Sequence, residues 1–526
     1  MNKVSVLDCT LRDGGYINNW KFGESNIRDI VSNLVEAKVD IIECGFIRDV
    51  KHDVDSSVFS SVEQIEEVIR PKNRSVSYAV MVEQHNYNRD LISEYNGDSI
   101  DIIRLTFRKN EWPEAKQTAK EIMEKGYKVC IQPVGTASYD DETLMGLLRD
   151  VNELSPFAFY LVDTLGVMYR HDMRRLFYLI DNNLSQNICL GFHSHNNLQM
   201  SFSNAQEMMR LNRKRNIIID SSCYGMGRGV GNLATELLID YINNNKEQRY
   251  SLIPILNIVD KYLMPIYAEQ RWGYDLPYFL SAIVKCHPNY AAHLMKKETM
   301  GIEKIEKILS LIPQNSRGEY NAELIEQLYL DMQACDVDDF ASQNELKERI
   351  HSREVLILGA GASIRIEKDR ICNLIDEKAP FIITVNSVTS LFSTDAFFIS
   401  NEKRLGSLRM DSASQGCVLA TSNLSNLLDD NTLIFDYTSL LGEGDESDNS
   451  GAMLIRILKK IGVSKIYLAG FDGFDVDCSA NYYDSSYKKA MDYDTAKRKN
   501  ENISKQLMLA LDGIEYEVIT KTKYEI

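Results

Sequence analysis

The sequence predicts an α/β protein: a closed parallel (β/α)8 barrel, then a helical segment, then a second α/β domain of doubly wound type. Three observations carry this. Short β-rich runs alternate with helix-length segments through the first 240 residues; the alternation stops from about 241 to 350; and it resumes from 351 to the end at 526. The predicted boundaries are therefore 1–240, 241–350 and 351–526. In the first part the runs are VSVLDCT from 4, DIIECGF from 40, SVSYAVMV from 75, DIIRLTF from 101, KVCIQPVG from 128, AFYLVDT from 158, NICLGFHSHN from 187 and IIIDSSCYGMG from 217. Eight strands in this length suit a barrel of ordinary size. Periodicity does not report closure, so an open doubly wound sheet stands beside the barrel as the alternative. Between the first two runs, Ile27, Ile30, Val31, Leu34 and Val35 recur at helical spacing, an apolar stripe that covers a strand.

Composition narrows the function classes. Hydrophobic residues make up 44% and charged residues 26%, as in folded globular proteins. A net charge of −17 repels phosphate backbones and anionic membranes, so nucleic acid and membrane partners are not expected. No apolar run approaches the roughly 18 residues of a membrane span, and the N-terminus does not read as a signal peptide, which places the expected location in the cytoplasm. Ten cysteines without a C-x-x-C pair suit neither a disulfide framework nor a thiolate zinc site and are expected to be reduced and mostly buried.

Chemistry in a parallel barrel gathers at the C-terminal ends of its strands. There the sequence places Arg12 and Asp13, Glu43, Arg104, Gln132, Asp163, His193 and His195, and a glycine-rich stretch ending at Asn232. Residues two apart on a strand project to one side, so both imidazoles of the H-x-H can reach one metal ion, with Asp13 completing a facial set. The plainer alternative is a polar strand end hydrogen-bonding its own loop. For Arg12 the alternative is a buried ion pair with Asp13.

Five motifs then carry a resemblance: LDCTLRDGG at 7–15, IIECGF at 41–46, LVDTLGV at 161–167, GFHSHNNLQMSFSNA at 191–205 and GVGNLATE at 229–236. In order and spacing they resemble the metal-dependent lyase and synthase barrels, among them 4-hydroxy-2-oxovalerate aldolase, hydroxymethylglutaryl-CoA lyase and isopropylmalate synthase. The resemblance implies a divalent metal (Mn2+, Mg2+ or Zn2+) on Asp13, His193 and His195 with Asn232 as fourth ligand, and Arg12 facing the substrate oxygen. A chelated 2-oxo acid, pyruvate above all, would form an enolate and join or split from an aldehyde. RWGYDLPYFLSAIVKCHPNYAAHL at 271–294 resembles the segment that follows the aldolase barrel, which implies that Tyr278 reaches the active site; helix packing is its alternative. Where the aldolases carry a histidine base, this chain has Tyr16, a poor base near neutrality unless cations stabilise its phenolate. It also reads R-D-G-G where Claisen-type synthases read R-D-G-E, which weakens an acyl-CoA condensing enzyme as the alternative. Glu43 and Asp163 match family positions, as catalytic groups or as loop braces. Cys223 reads as structural. By analogy the protein is a homo-oligomer, such as a dimer.

The last part begins EVLILGAGASI from 354 and continues with strands near 380, 396, 417, 432, 465 and 516. Its glycine turn suits a phosphate, but Ile364 replaces the third fingerprint glycine and Asn386 stands where NAD wants an acid, so NAD is disfavoured. The segment resembles the nucleotide-binding fold of bacterial sialyltransferases, which implies that Gly359, Gly361, Ser363 and Asn386 touch a nucleotide or nucleotide-linked sugar, binding without transfer because no histidine follows His351. A structural appendage is the alternative. Taken together, the expectation is an aldolase acting on a sugar-derived aldehyde in surface-polysaccharide or sugar assembly, with a non-catalytic nucleotide-sugar-binding protein as a further alternative.

Overall fold

A computed structural model of the chain describes residues 3–212, 214–335, 337–387, 389–405, 416–429, 431–477, 481–483 and 491–526. The chain forms two compact units, 1–292 with 312–321, and 293–311 with 322–526. The helices after the barrel are shared between them.

In the first unit, eight parallel strands follow one another around a sheet: β1 (Val4–Asp8), β2 (Ile41–Ile47), β3 (Ser77–Glu83), β4 (Ile102–Phe107), β5 (Lys128–Pro133), β6 (Ala158–Asp163), β7 (Cys189–Ser194) and β8 (Ile217–Ser221). The sheet closes because β1 pairs with both β2 and β8, Leu7 opposite Ile41 on one side and Asp220 on the other. A two-residue strand, Val58–Phe59, adds to the end of β2. The open-sheet alternative is thereby set aside. The strands are buried along nearly their whole length, and their two faces pack differently. Ile103, Leu105, Leu190, Phe192, Ile217 and Ile219 point outward into a core shared with the helices. Leu7, Cys9, Ile41, Ala79, Ile102, Cys130, Ala158, Tyr160 and Ile218 fill the interior.

The first covering helix runs Glu24–Glu36 and buries Ile27, Ile30, Val31 and Leu34, with Val35 at the margin. Helices Val62–Ile69, Trp112–Glu124, Asp141–Leu154, Arg170–Asn183, Ser201–Leu211 and Thr235–Asn245 cover other strands. Between β3 and β4 the described chain forms two short 3-10 turns in place of a helix. The residues there, QHNYNRDL, have no apolar stripe to lay on the sheet.

The second unit holds a seven-stranded parallel sheet: β9 (Val355–Leu358), β10 (Phe381–Val385), β11 (Ala396–Ile399), β12 (Cys417–Thr421), β13 (Leu433–Phe435), β14 (Lys465–Ala469) and β15 (Glu515–Val518), in the order β13-β12-β11-β10-β9-β14-β15. The direction of winding reverses between β9 and β14, and the crevice outside their carboxyl ends is where such sheets place ligands. Nine described cysteines are free thiols, five of them buried; Cys478 lies outside the described residues. No described helix is long and apolar enough to cross a membrane.

Candidate active site

At the C-terminal mouth of the barrel, the chain leaving β1 makes one wide helical turn, Thr10–Gly14, with every residue buried. Such turns project consecutive side chains inward at unusual spacing. Arg12 and Asp13 come from it. Gly15 follows because a side chain there would stand 2.0 Å from the indole of Trp20, whose Nε1 donates to the Arg12 carbonyl at 2.7 Å. A glutamate in that position is sterically excluded.

The interior faces of β2, β4, β7 and β8 add Glu43, Arg104, His193 and Asp220, and with Arg12 and Asp13 they close a ring of six ionisable side chains. Arg12 Nε donates to Glu43 Oε2 at 2.9 Å, and Glu43 Oε2 lies 2.6 Å from Arg104 Nη1. Arg104 Nη2 pairs with Asp220, and Asp220 Oδ2 holds His193 Nδ1 at 3.0 Å. His193 Nε2 is 3.2 Å from Asp13 Oδ2, and Asp13 Oδ1 is 3.4 Å from Arg12 Nη1. Gln132, with its amide oxygen turned to Arg104, accepts from Nη2 and Nε at 2.5 and 2.7 Å. Beneath the ring lies Tyr160, its centroid 4.9 Å from the Arg104 guanidinium; β7 has Gly191 where the aromatic ring needs the space.

His195, two residues beyond His193, presents Nε2 at 4.0 Å from Asp13 Oδ2. A backbone bridge pairs His195 with Asn232, whose Nδ2 donates to the Met226 carbonyl at 3.2 Å. That leaves Asn232 Oδ1 and Arg12 Nη2 buried without a hydrogen bond, while Asp13 Oδ2 faces the imidazoles of His193 and His195. Buried polar atoms are rarely left unpaired, so these orphans mark a place for a ligand.

The electrostatics favour a cation. Three carboxylates face two guanidiniums in the ring, all of them buried. Burial alone would raise the Asp13 pKa, but Arg12, His195 and His193 hold it well below the usual carboxylate range. Burial would lower His193, yet its hydrogen bonds to Asp13 and Asp220 lift it above 6.5. Burial pushes His195 down to about 4, so its imidazole is neutral. Asp220 takes the Nδ1–H of His193, so once Nε2 gives up the proton it directs at Asp13, its lone pair is the one a metal ligand needs. Cys9 Sγ also lies within 4.8 Å of ligand atoms of Asp13 and His193. Burial raises its pKa well above the ordinary thiol value, and a neutral thiol is a weak ligand. Asp13, His193 and His195 thus offer the donor types a divalent cation takes, and the buried, unpaired Asn232 Oδ1 is a further donor on the loop bridged to His195.

A cavity of ≈ 420 Å³ opens over these groups, lined by Arg12, Asp13, Tyr16, Gln132, His193 and His195 among others. Tyr16 is on its wall, packed against Trp20 and Phe46, and its hydroxyl has no hydrogen-bond partner among the described residues. Burial, and Asp13 nearby, raise its pKa, so it stays a phenol. Glu43 lies below the cavity, engaged with both arginines. Asp163 is not on the wall: its carboxylate accepts the N–H groups of Val167 and Met168, each at 3.0 Å, and burial moves it up to about 6. Tyr278 is not on the wall either and packs against Gly229. Cys223 is fully buried against Asp8. Sequence reasoning passed over Asp220, which the inward alternation of Ile218 and Asp220 on β8 marks, and over Arg228, His287 and Tyr320, which no local pattern signals.

In the second unit a cavity of ≈ 590 Å³ fills the crevice, lined by Gly359, Gly361, Asn386, Asn401, Ser450, Asp472 and Lys499 among others. Ser363 gives both its N–H (2.7 Å) and its hydroxyl to Asp472, and a side chain at Gly361 would meet the same carboxylate at 2.2 Å. The donors assigned to a phosphate are therefore engaged within the protein: those of Ser363 by Asp472, and the N–H groups of Gly359 and Gly361 by the carbonyls of Ala469 and Gly470 at 2.8 and 2.9 Å. Asn386, at φ +50°, donates to Ser450 Oγ at 2.5 Å and accepts from the N–H of Ser400 at 3.2 Å.

Comparison with known proteins agrees with the barrel. Residues 3–259 match the family described as HMGL-like. The chain is 28% identical over 236 residues to an oxaloacetate decarboxylase of Mycobacterium tuberculosis, covering 44% of this chain and 68% of that protein. It is 25% identical over 239 residues to a 4-hydroxy-2-oxovalerate aldolase of Geobacillus genomosp. 3, covering 45% and 69%. Among solved structures, the HMG-CoA lyase of Brucella melitensis aligns with a TM-score of 0.39 at 15% identity, over 49% of this chain and 96% of that one.

Proposed function

Starting from an HMGL-like barrel with lyase and aldolase relatives, we propose that this protein makes or breaks the C3–C4 bond of a 2-oxo acid through the enolate of pyruvate, with an aldehyde as the second substrate. The observation that carries the reading is the buried ring of six side chains at the barrel mouth, with Arg12 Nη2 left unpaired in it and Asn232 Oδ1 left unpaired on the neighbouring loop. The relatives' names support it, since C3–C4 cleavage of either oxaloacetate or 4-hydroxy-2-oxovalerate leaves the same pyruvate fragment.

A divalent cation held by Asp13, His193, His195 and Asn232 would supply Lewis-acid polarisation of the ketone. Arg12 offers Nη2 to the negative charge that develops on the ketone oxygen, and Glu43 fixes the guanidinium through Nε so that no reorganisation is needed during reaction. Asp220 fixes the tautomer of His193. Tyr16, a protonated phenol with a free hydroxyl, donates to the aldehyde oxygen as it becomes an alkoxide. Claisen chemistry is less well supported, because Trp20 occupies the space a glutamate after Gly14 would need. In the second unit, a nucleotide or nucleotide-linked group would lie along the wall of Asn401, Lys403, Ser450 and Lys499, since the 359–363 turn is already engaged.

The test is deuterium exchange into the methyl group of pyruvate in D2O, followed by NMR with Mg2+ or Zn2+, for the wild type and Asp13→Ala. Exchange that needs both metal and Asp13 is expected. Exchange that survives Asp13→Ala, or none with any metal, would sink the reading. Carbon dioxide release from oxaloacetate, without aldehyde incorporation, would place the enzyme with the decarboxylases.

A further inference from the structure

The charged side chains on the barrel cavity's wall are almost all engaged. Arg12 pairs with Glu43 and Asp13, Arg108 lies 3.0 Å from Glu319, Glu83 takes Arg48 at 2.8 Å, and Glu111 accepts the N–H of Arg108 at 2.7 Å. Arg228 differs. Among the described residues it has no carboxylate partner; its Nη2 lies 3.1 Å from His287 Nε2 and its guanidinium sits over the ring of Tyr16, 6.0 Å from the centroid. Burial, and then Arg228 itself, lower His287 to about 4, so the imidazole is neutral and steers the arginine without cancelling its charge.

The backbone beneath this arm is fixed. The Arg228 carbonyl accepts the N–H of Gly231 at 3.1 Å, and a side chain at the preceding Gly227 would stand 2.5 Å from Asn232 Nδ2. Arg228 therefore departs from the same tight loop that carries Asn232. It is exposed, whereas Arg12 is buried beside Asp13. A guanidinium held at the rim, next to the free hydroxyl of Tyr16 and away from the floor where a 2-oxo acid would sit, is a receptor for an anion.

We propose that Arg228 selects the second substrate by pairing with a carboxylate or phosphate that the aldehyde carries. This deepens, and rests on, the aldol reading above. C3 of the pyruvate enolate adds to the aldehyde carbon, one C–C bond forms, the carbonyl π pair moves to oxygen and is protonated, and the product is a 4-hydroxy-2-oxo acid whose far end bears the anion. No oxidant or reductant enters.

The experiment uses the full-length protein with Mg2+ and pyruvate, and aldehydes matched in size: succinic semialdehyde against butanal, and glycolaldehyde phosphate against glycolaldehyde. Product is measured by mass spectrometry, and a melting curve shows that each variant is folded. The expected wild-type preference in kcat/KM is tenfold or more for the anionic member of at least one pair, shrinking with added salt. It should fall to within about threefold of parity in Arg228→Gln and survive in part in Arg228→Lys. A wild-type ratio near one, or the same preference in Arg228→Gln, overturns the inference. So does an Arg228→Gln enzyme that keeps the preference but needs far more pyruvate, which would assign the guanidinium to the 2-oxo acid. Failure of the wild type to exchange pyruvate protons would instead defeat the aldol reading, and this inference with it.

Discussion

Replacing Gly191 by alanine tests whether the floor of the site is as tightly built as the structure makes it. The added methyl would stand 2.4 Å from Cε1, Cε2 and Cζ of Tyr160. Carbon atoms in a core settle near 3.5–4.0 Å, so the ring must retreat by roughly 1 Å. It has nowhere to go: Tyr160 is fully buried, and Arg104 lies against its face. Overpacking of this kind costs about 1–3 kcal/mol. At roughly 2–4 °C per kcal/mol the melting temperature should fall by roughly 2–12 °C. The backbone at Gly191 is not left-handed, so the loss would be steric alone. A displaced ring also pushes Arg104 away from Glu43 and Asp220, and Mn2+ affinity should fall along with stability. Thermal scans and Mn2+ titrations of Gly191→Ala, Tyr160→Leu and the double variant provide the assay, the double variant recovering part of the loss. A single variant that melts within about 1 °C of the wild type would refute the reasoning.

Asp220→Asn should weaken Mn2+ binding by about 10–100-fold, read by calorimetry, because His193 loses the partner that sets its tautomer; it should also cost about 3–5 kcal/mol of stability in urea by leaving Arg104 short of a counter-charge. Metal uptake should tighten as pH rises above about 6.5 and release up to one proton. The reason is that His193, raised above that value, is protonated in the metal-free protein; its stabilising contribution is complete below 6.5 and fades as pH climbs through the folded pKa. Asp13, held low, contributes in the opposite sense, above 3.8, and loses it as pH falls. Tyr16→Phe should lower aldol turnover by about 10²-fold or more without moving the pH optimum, as expected of a donor that stays protonated, and a shifted optimum would show a phenolate instead. Asp472→Ala should destabilise the second unit by about 1–3 kcal/mol by stranding the N–H of Ser363, whose hydroxyl keeps Thr520 Oγ1 at 2.8 Å, and unchanged denaturant midpoints would count against the engaged turn.

The barrel was legible because its strands are buried on both faces and so read as short, mostly apolar runs, as IIECGF does for β2. The missing third helix was equally present in the polar run from Gln84 to Leu91, where no stripe exists to read. Alternation told that His193 and His195 project to one side of their strand, whereas Asp13 and Asn232, which lie off the strands, were named from the motifs around them. It could not tell a carboxylate that braces a loop from one that joins the charged ring: Asp163, at the end of its strand, accepts two loop N–H groups, while Glu43, third in β2, holds two arginines. Nor could the turn at Gly359 and Gly361 announce that its anion comes from Asp472, more than a hundred positions later. Arg228 and His287 meet through space from loops with no periodic signal.

The chain crosses between its two compact units three times, after 292, after 311 and after 321, and the ten residues 312–321 that return to the barrel unit bring Glu319 and Tyr320 to the cavity wall. No single crossover in the gene can therefore exchange one unit for a foreign counterpart, because any one cut strands a piece of the other. During synthesis the barrel's eight strands are complete well before residue 321, yet the mouth of its cavity stays unfinished until a first portion of the second unit has also been made. Exchanging either unit cleanly takes three junctions, at 292, 311 and 321.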